Sequence, residues 1–167
     1  MAAGRSAEPP AGGIALVMTR VLEAPRELVF RLWASPEHLA RWWGPRDDEG
    51  RDFTAPSVEL DFRPGGRYRI CIRSPQGREY WHGGVYQEII EPERLSFTFQ
   101  WEEEGAPVTL VEVSLAEHGA GQTLLTFRQS GFENEASRDG HEGGWSECMD
   151  RLGAYAPAVA VNLGEHP

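Results

Sequence analysis

The segment Tyr80-Trp81-His82-Gly83-Gly84 sets a histidine among aromatic residues on a stretch of strand character. A histidine facing an apolar pocket can act as a general base toward an enolisable ligand, or simply donate one hydrogen bond to it. Strand parity argues against an inward His82, because it falls with Gly84 and Tyr86, while Trp81 falls with Val85 and Ile89 and makes the more core-like set. His82 is therefore expected on the wet face and Trp81 on the inner one. Arg67, Arg69 and Arg73 share one face of their strand and could clamp a carboxylate if turned inward. Tyr68, Ile70 and Ile72 make the better inner face, which leaves the arginine row in solvent.

Other candidate chemistry is sparse. His141-Glu142 resembles part of a metal motif, but no second histidine follows at i+4, and His38, His82, His118 and His166 are scattered, so no metal is expected. The sequence has no nucleophile elbow, no zincin spacing and no glycine-rich nucleotide loop, and no cofactor is expected. Cys71 and Cys148 have no metal-like spacing and read as small buried apolar residues, kept reduced in a cytoplasmic protein.

Composition narrows the partners. All 16 basic residues are arginine, which removes Schiff-base lysine chemistry and a phosphate-loop lysine. The net charge of -10 makes nucleic acid and anionic membranes poor partners, since binding either relies on surplus positive charge. No apolar run is long enough to span a bilayer, and Met1 to Pro10 lacks the apolar stretch of a signal peptide, so a cytoplasmic protein without membrane insertion is expected. At 167 residues and 40% apolar content the chain has the makings of one domain with a real core.

The elements that must position these residues follow from periodicity. Ile14 to Leu22 reads as a first strand. Ala24-Pro25 opens a short helix with Pro25 at its first position, Ser35-Pro36-Glu37 caps a second, and Gly44-Pro45 ends that one after Trp42-Trp43. Strands are then expected at Val58 to Phe62, Tyr68 to Arg73, Glu79 to Ile90, Leu95 to Trp101, Thr109 to Leu115 and Thr123 to Gln129, joined by short turns such as Arg63-Pro64-Gly65-Gly66 in an antiparallel meander. Leu95, Phe97, Phe99 and Trp101 alternate with Ser96, Thr98 and Gln100, which predicts one apolar and one wet face.

The last segment supplies a cover for that sheet. Trp145, Met149, Leu152 and Ala156, widened by Cys148 and Tyr155, make one apolar helical face. Gly143-Gly144 would each cost about 1 kcal/mol inside an exposed helix, so they belong near its first turn or are kept small because something packs close. Close packing of helix on sheet is the plainer account, and close approach of a ligand is the other. Residues 1–12 and 157–167 are expected to be flexible ends around a domain at 13–156.

Six motifs taken in order carry a family resemblance: Thr19-Arg20 with Ala24-Pro25, Pro36-Glu37-His38-Leu39 with Trp42-Trp43-Gly44-Pro45, Asp61-Phe62-Arg63-Pro64-Gly65-Gly66, Gly84-Val85-Tyr86, Pro92-Glu93-Arg94-Leu95, and Gly144-Trp145 with Leu152. The chain resembles bacterial relatives of the C-terminal domain of the heat-shock-protein-90 ATPase activator, within the START and polyketide-cyclase-like SRPBCC superfamily. The resemblance implies an α+β helix-grip fold, a curved antiparallel sheet of six to seven strands wrapped around a long C-terminal helix. It also implies a pocket between that helix and the concave sheet for lipid-, sterol- or polyketide-like molecules.

Three functional classes follow: a module binding a small hydrophobic or aromatic molecule, a cyclase or dehydratase acting on one, and a chaperone-accessory interaction protein. A homodimer is compatible with each. The expected ligand-binding side chains are Trp42, Trp43, Tyr68, Trp81, Phe97, Phe99, Trp101, Phe127, Trp145 and Met149, with one of Trp42 and Trp43 anchoring the helix and the other lining the pocket mouth. A pocket of several hundred cubic ångströms favours the first two classes, and a filled core with an exposed apolar patch favours the third.

Overall fold

The alternation of apolar and polar residues resolves into one seven-stranded sheet in a computed structural model that describes residues 13–164. In chain order the elements are β1 (Ile14–Leu22), α1 (Arg26–Ala34), α2 (Pro36–Trp42), β2 (Thr54–Leu60), β3 (Arg67–Arg73), β4 (Glu79–Ile90), β5 (Arg94–Trp101), β6 (Thr109–Glu117), β7 (Thr123–Phe132) and α3 (Glu135–Gly164). Neighbouring strands run antiparallel in the order β1-β7-β6-β5-β4-β3-β2, so only the pairing of β1 with β7 departs from a simple meander. The fold is α+β, as the strand and helix patterns predict.

Small shifts in the elements have local causes. Pro25 stands just outside α1 as its N-cap, where its fixed φ of -68° still suits the entry to the helix. The second strand begins earlier than the apolar pattern suggests and includes Pro56, because β2 is a sheet edge and its register slips between Thr54 and Ser57, so no ladder bond needs the missing N–H. In the β2–β3 turn, a Cβ on Gly66 would lie 1.9 Å from the Asp61 carbonyl oxygen. Its bare backbone instead accepts the Tyr86 N–H at 2.9 Å, and Gly65 donates to the Tyr86 carbonyl at 2.8 Å, which ties the turn to β4.

The core lies between the concave face of the sheet and the three helices. Leu95, Phe97 and Phe99 on β5, Val111, Val113 and Leu115 on β6, and Leu125 and Phe127 on β7 meet Met149, Leu152 and Ala156 of α3. The opposite face of β5 is less wet than its polar residues imply. Ser96 and Thr98 are buried because their hydroxyls accept the Glu88 and Val85 amides of β4, where the β4–β5 register is irregular between Tyr86 and Glu88.

Residues 157–164, placed by the sequence in a C-terminal tail, are helical. Helix α3 does not give way at Pro157 but runs through it to Gly164, since Val159 and Ala160 pack on the core beyond the proline. Burial of that stripe outweighs the ladder bond that proline removes. The expected flexible N-terminus, residues 1–12, lies outside the described residues. Among the described residues no helix is long and apolar enough to cross a membrane.

Candidate functional site

The first half of α3 is poor in large side chains. Gly140, Gly143 and Gly144 lie in its interior rather than at its first turn, and a Cβ on Gly140 or Gly143 would meet nothing within 4 Å. Gly144 has only the Pro45 Cβ nearby, at 3.9 Å. Close packing of helix on sheet therefore does not explain these glycines. Gly140 and Gly144 instead border a cavity of about 390 Å³ between α3, the Trp43-Gly44-Pro45 loop and strands β3, β4 and β5.

Aromatic rings form most of the chamber. Trp43 and Trp145 meet edge to face at 5.2 Å, Phe99 contacts Trp101 at 5.3 Å and Trp145 at 6.0 Å, and His82 stacks on Phe99 at 4.6 Å. Ile72, Cys148 and, on the helix, Ala136 and Ser137 complete the wall with His141. The loop wall is held in place by α3. Arg151, only 8% exposed, donates to the Gly44 carbonyl at 2.8 Å and the Arg41 carbonyl at 3.3 Å, while Glu147 accepts the Arg46 amide at 3.0 Å. Gly44 itself adopts φ +124°, a region that other residues rarely adopt, and a Cβ there would press on Phe53 and Arg151.

Each indole N–H that borders the chamber already has a partner. Trp145 donates to Gln129 Oε1 at 2.8 Å, and the fully buried Gln129 passes the chain on to Thr109 Oγ1 and then to the Phe99 carbonyl. Trp101 donates to His141 Nε2 at 2.9 Å, and His141 Nδ1 lies 2.9 Å from the Ser137 carbonyl. Trp43 donates to His82 Nε2 at 3.0 Å. Because an indole can only donate, Nε2 of both histidines is the bare nitrogen and Nδ1 carries the proton.

The electrostatics keep the chamber neutral. Burial lowers the His82 pKa to about 3, so its imidazole stays uncharged and its only lone pair is engaged by Trp43. Burial likewise raises the Cys148 thiol to about 12, which keeps it from forming a thiolate. His82 Nδ1 is buried and has no protein partner.

The expected ligand-binding residues separate into three groups. Trp43, Phe99, Trp101 and Trp145 line the chamber. Trp42, Tyr68, Phe97, Phe127 and Met149 belong to the filled core, where Trp42 is fully buried and donates to the Leu32 carbonyl at 3.1 Å. Trp81 is on the outer face, with the Arg69 guanidinium 3.8 Å from its ring centroid, and His82 is the inward residue. The parity reading thus assigned the two residues the wrong way round: Tyr86 and His82 face the aromatic core, and an arginine covers the tryptophan outside. Arg67, Arg69 and Arg73 are exposed, as expected.

Sequence reasoning weighed His141 only as part of a metal motif, and passed over Gly140 and the clamp residue Arg151. Arg151 had a visible signal, a charged residue on the same helical face as Cys148 and Tyr155. Among the described residues no group of histidine, cysteine and acidic side chains could hold a metal ion.

Comparison with known proteins agrees with this architecture. Residues 23–156 match the family model described as Activator of Hsp90 ATPase homolog 1-like protein. A crystal structure of a protein from Chromobacterium violaceum superposes with a TM-score of 0.76 at 28% identity, covering 85% of this chain and 96% of that one. The solution structure of an Arthrobacter aurescens protein gives a TM-score of 0.74 at 23% identity over 90% of each chain, and the AHSA1 protein of Silicibacter pomeroyi gives 0.73 at 20% identity over 85% of this chain and 96% of its own. The last two likenesses concern the fold. No curated protein gives a match.

Proposed function

The chain belongs to the family of Activator of Hsp90 ATPase homolog 1-like proteins, within a superfamily that generally binds hydrophobic ligands, and we propose that its chamber takes up a small hydrophobic or aromatic molecule. The observation that carries this reading is the 390 Å³ cavity walled by Trp43, Phe99, Trp101 and Trp145, in which every indole N–H is already satisfied by the protein. Such a wall offers apolar area and ring faces at no cost in broken hydrogen bonds. Its volume falls within the range of about 300–1,000 Å³ typical of small-molecule pockets.

Binding without chemistry is the better account of the two histidines. Each has its basic nitrogen engaged by a tryptophan, so a substrate proton finds no free imidazole base in the chamber. The interaction-protein reading needs a filled interior, and the chamber weighs against it.

Titration with 2-acetylnaphthalene, followed by quenching of tryptophan emission and by calorimetry, tests the proposal. Saturable 1:1 binding that is weakened in Trp145→Ala but retained in the outer-face variant Trp81→Ala supports it. Quenching that is unsaturable, or lost equally in both variants, overturns it.

A further inference from the structure

The rings of the chamber stand to one another as the sides of a box. Trp43 and Trp145 meet at 87°, Phe99 and Trp101 at 85°, and Phe99 and Trp145 at 65°. An aromatic ring is negative on its face and positive at its edge, so a box of rings attracts a cation that lies over the faces. The lone pairs of His82 and His141 are already taken by indole N–H groups, which leaves no basic side-chain nitrogen to accept from an N–H donor. A cation without N–H groups, a quaternary ammonium, therefore suits these walls best.

The charges beside the chamber have one sign. A cleft of about 200 Å³ adjoins it and shares Phe99, Trp101, Ser137 and His141. Glu103, Glu104 and Glu133, all exposed, line that cleft. Among the described residues none of the three is in an ion pair, whereas the neighbouring Glu102 is held by Arg69 at 2.6 Å. Among the described residues no arginine lines either cavity, and the chain has no lysine. The basic groups next to the walls have partners elsewhere. Arg138 pairs with Asp139 at 2.9 Å and Arg46 with Asp52 at 3.0 Å, while Arg151 donates to the Gly44 and Arg41 carbonyls and lies 3.7 Å from Asp52.

Resting on the chamber being a binding site, we infer that its occupant is an amphiphilic organic cation, a quaternary ammonium carried on an apolar or aromatic body. The body fills the chamber, and the onium group sits at the Phe99–Trp101 side, between the rings and the glutamate-lined cleft. Neither half of the site selects such a molecule by itself. Rings alone take a neutral hydrocarbon, and exposed carboxylates alone hold a cation weakly against water and salt. Together they set the sign of the ligand's charge.

The test uses three probes of nearly one shape that differ in charge: benzyltrimethylammonium, neopentylbenzene and phenylmethanesulfonate, with 2-acetylnaphthalene as the reference for the chamber. In calorimetry at low ionic strength the cation should bind about tenfold tighter than its neutral isostere, and the anion about tenfold more weakly than that isostere or worse. Raising salt to about 0.5 M should weaken the cation about three- to fivefold and leave the isostere little changed. Glu103→Gln, Glu104→Gln and Glu133→Gln combined keep the size of each exposed side chain, and should cut the cation-to-isostere ratio by about threefold or more while 2-acetylnaphthalene binds as before. The salt series needs no variant, so the inference stays open to refutation if the triple variant does not fold. A cation that binds no tighter than neopentylbenzene, a sulfonate that binds tighter than either, or a ratio unmoved by salt or by the triple variant overturns the inference, while binding of 2-acetylnaphthalene keeps the site. Failure of every probe, 2-acetylnaphthalene included, overturns the binding site itself and the inference with it.

Discussion

Replacing Gly140 by leucine should make the protein more stable and a worse binder. In a helix interior glycine costs about 0.8–1.0 kcal/mol relative to alanine, and leucine is nearly as good a helix former as alanine. A side chain at position 140 enters open space, since a Cβ there meets nothing within 4 Å. Recovered propensity alone should raise the melting temperature by about 2–4 °C for a chain of this size. Four added carbons, each displacing about one water volume or roughly 30 Å³, would fill about a third of the chamber. Forcing an aromatic ligand into the remainder resembles overpacking a core, at about 1–3 kcal/mol, so affinity for 2-acetylnaphthalene should fall by about tenfold or more. Gly143→Leu is the control, because both glycines are exposed and uncrowded but only Gly140 borders the chamber. It should give a similar gain in stability with unchanged affinity. Differential scanning calorimetry and isothermal titration measure both quantities on the same samples. If the two variants bind the ketone alike, Gly140 is not part of the ligand wall and the reasoning fails.

Acid should destabilise the fold before the carboxylates titrate. His82 has a folded pKa near 3 against 6.5 in the unfolded chain, so the unfolded state takes up the proton first; its contribution is fully present above about pH 6.5 and is lost as pH falls towards 3, by at most about 1.4 kcal/mol per unit. Urea melts between pH 7 and 5 should show this slope in wild type and a flatter one in His82→Gln, and identical slopes would refute the assignment. Arg151→Met, which strips the Gly44 and Arg41 carbonyls of their donor, should cost about 2–4 kcal/mol in urea melts and accelerate amide exchange in the 44–46 loop. An unchanged exchange rate would mean that the loop holds itself. Trp145→Phe keeps most of the packing but orphans Gln129 Oε1, so a loss of about 1–3 kcal/mol is expected, partly restored by Gln129→Leu in the double variant.

Much of the fold was legible because burial on one face imposes a period. The β5 alternation and the Trp145, Met149, Leu152 and Ala156 stripe each report which side of an element meets the core, and short turns between strands leave few topologies open. The same rule failed at His82 and Trp81, and the failure has a physical cause. Parity sorting equates large and apolar with inside, yet a neutral imidazole held between Phe99 and Trp43 is a good core residue, and a tryptophan under a guanidinium is a good surface one. At Ser96 and Thr98 the error was of the same kind, since a hydroxyl that satisfies a neighbouring strand's amide has no need of water.

The site was less legible than the fold for a different reason. Apolar character identifies candidates for burial but does not distinguish a residue that meets another side chain from one that meets empty space. Phe127 and Phe99 look alike in sequence, and both are buried; what separates them is the residue opposite. Phe127 faces Trp145 at 4.5 Å, while Phe99 borders the region where α3 offers Gly140 and Gly144 in place of large side chains. The chamber therefore depends on helix positions that bring no side chain to it, and it remains open because those positions forgo about 1 kcal/mol each of helix propensity. Where glycines interrupt an otherwise helical, core-facing segment and no close contact accounts for them, the space they leave is the first place to look for a ligand.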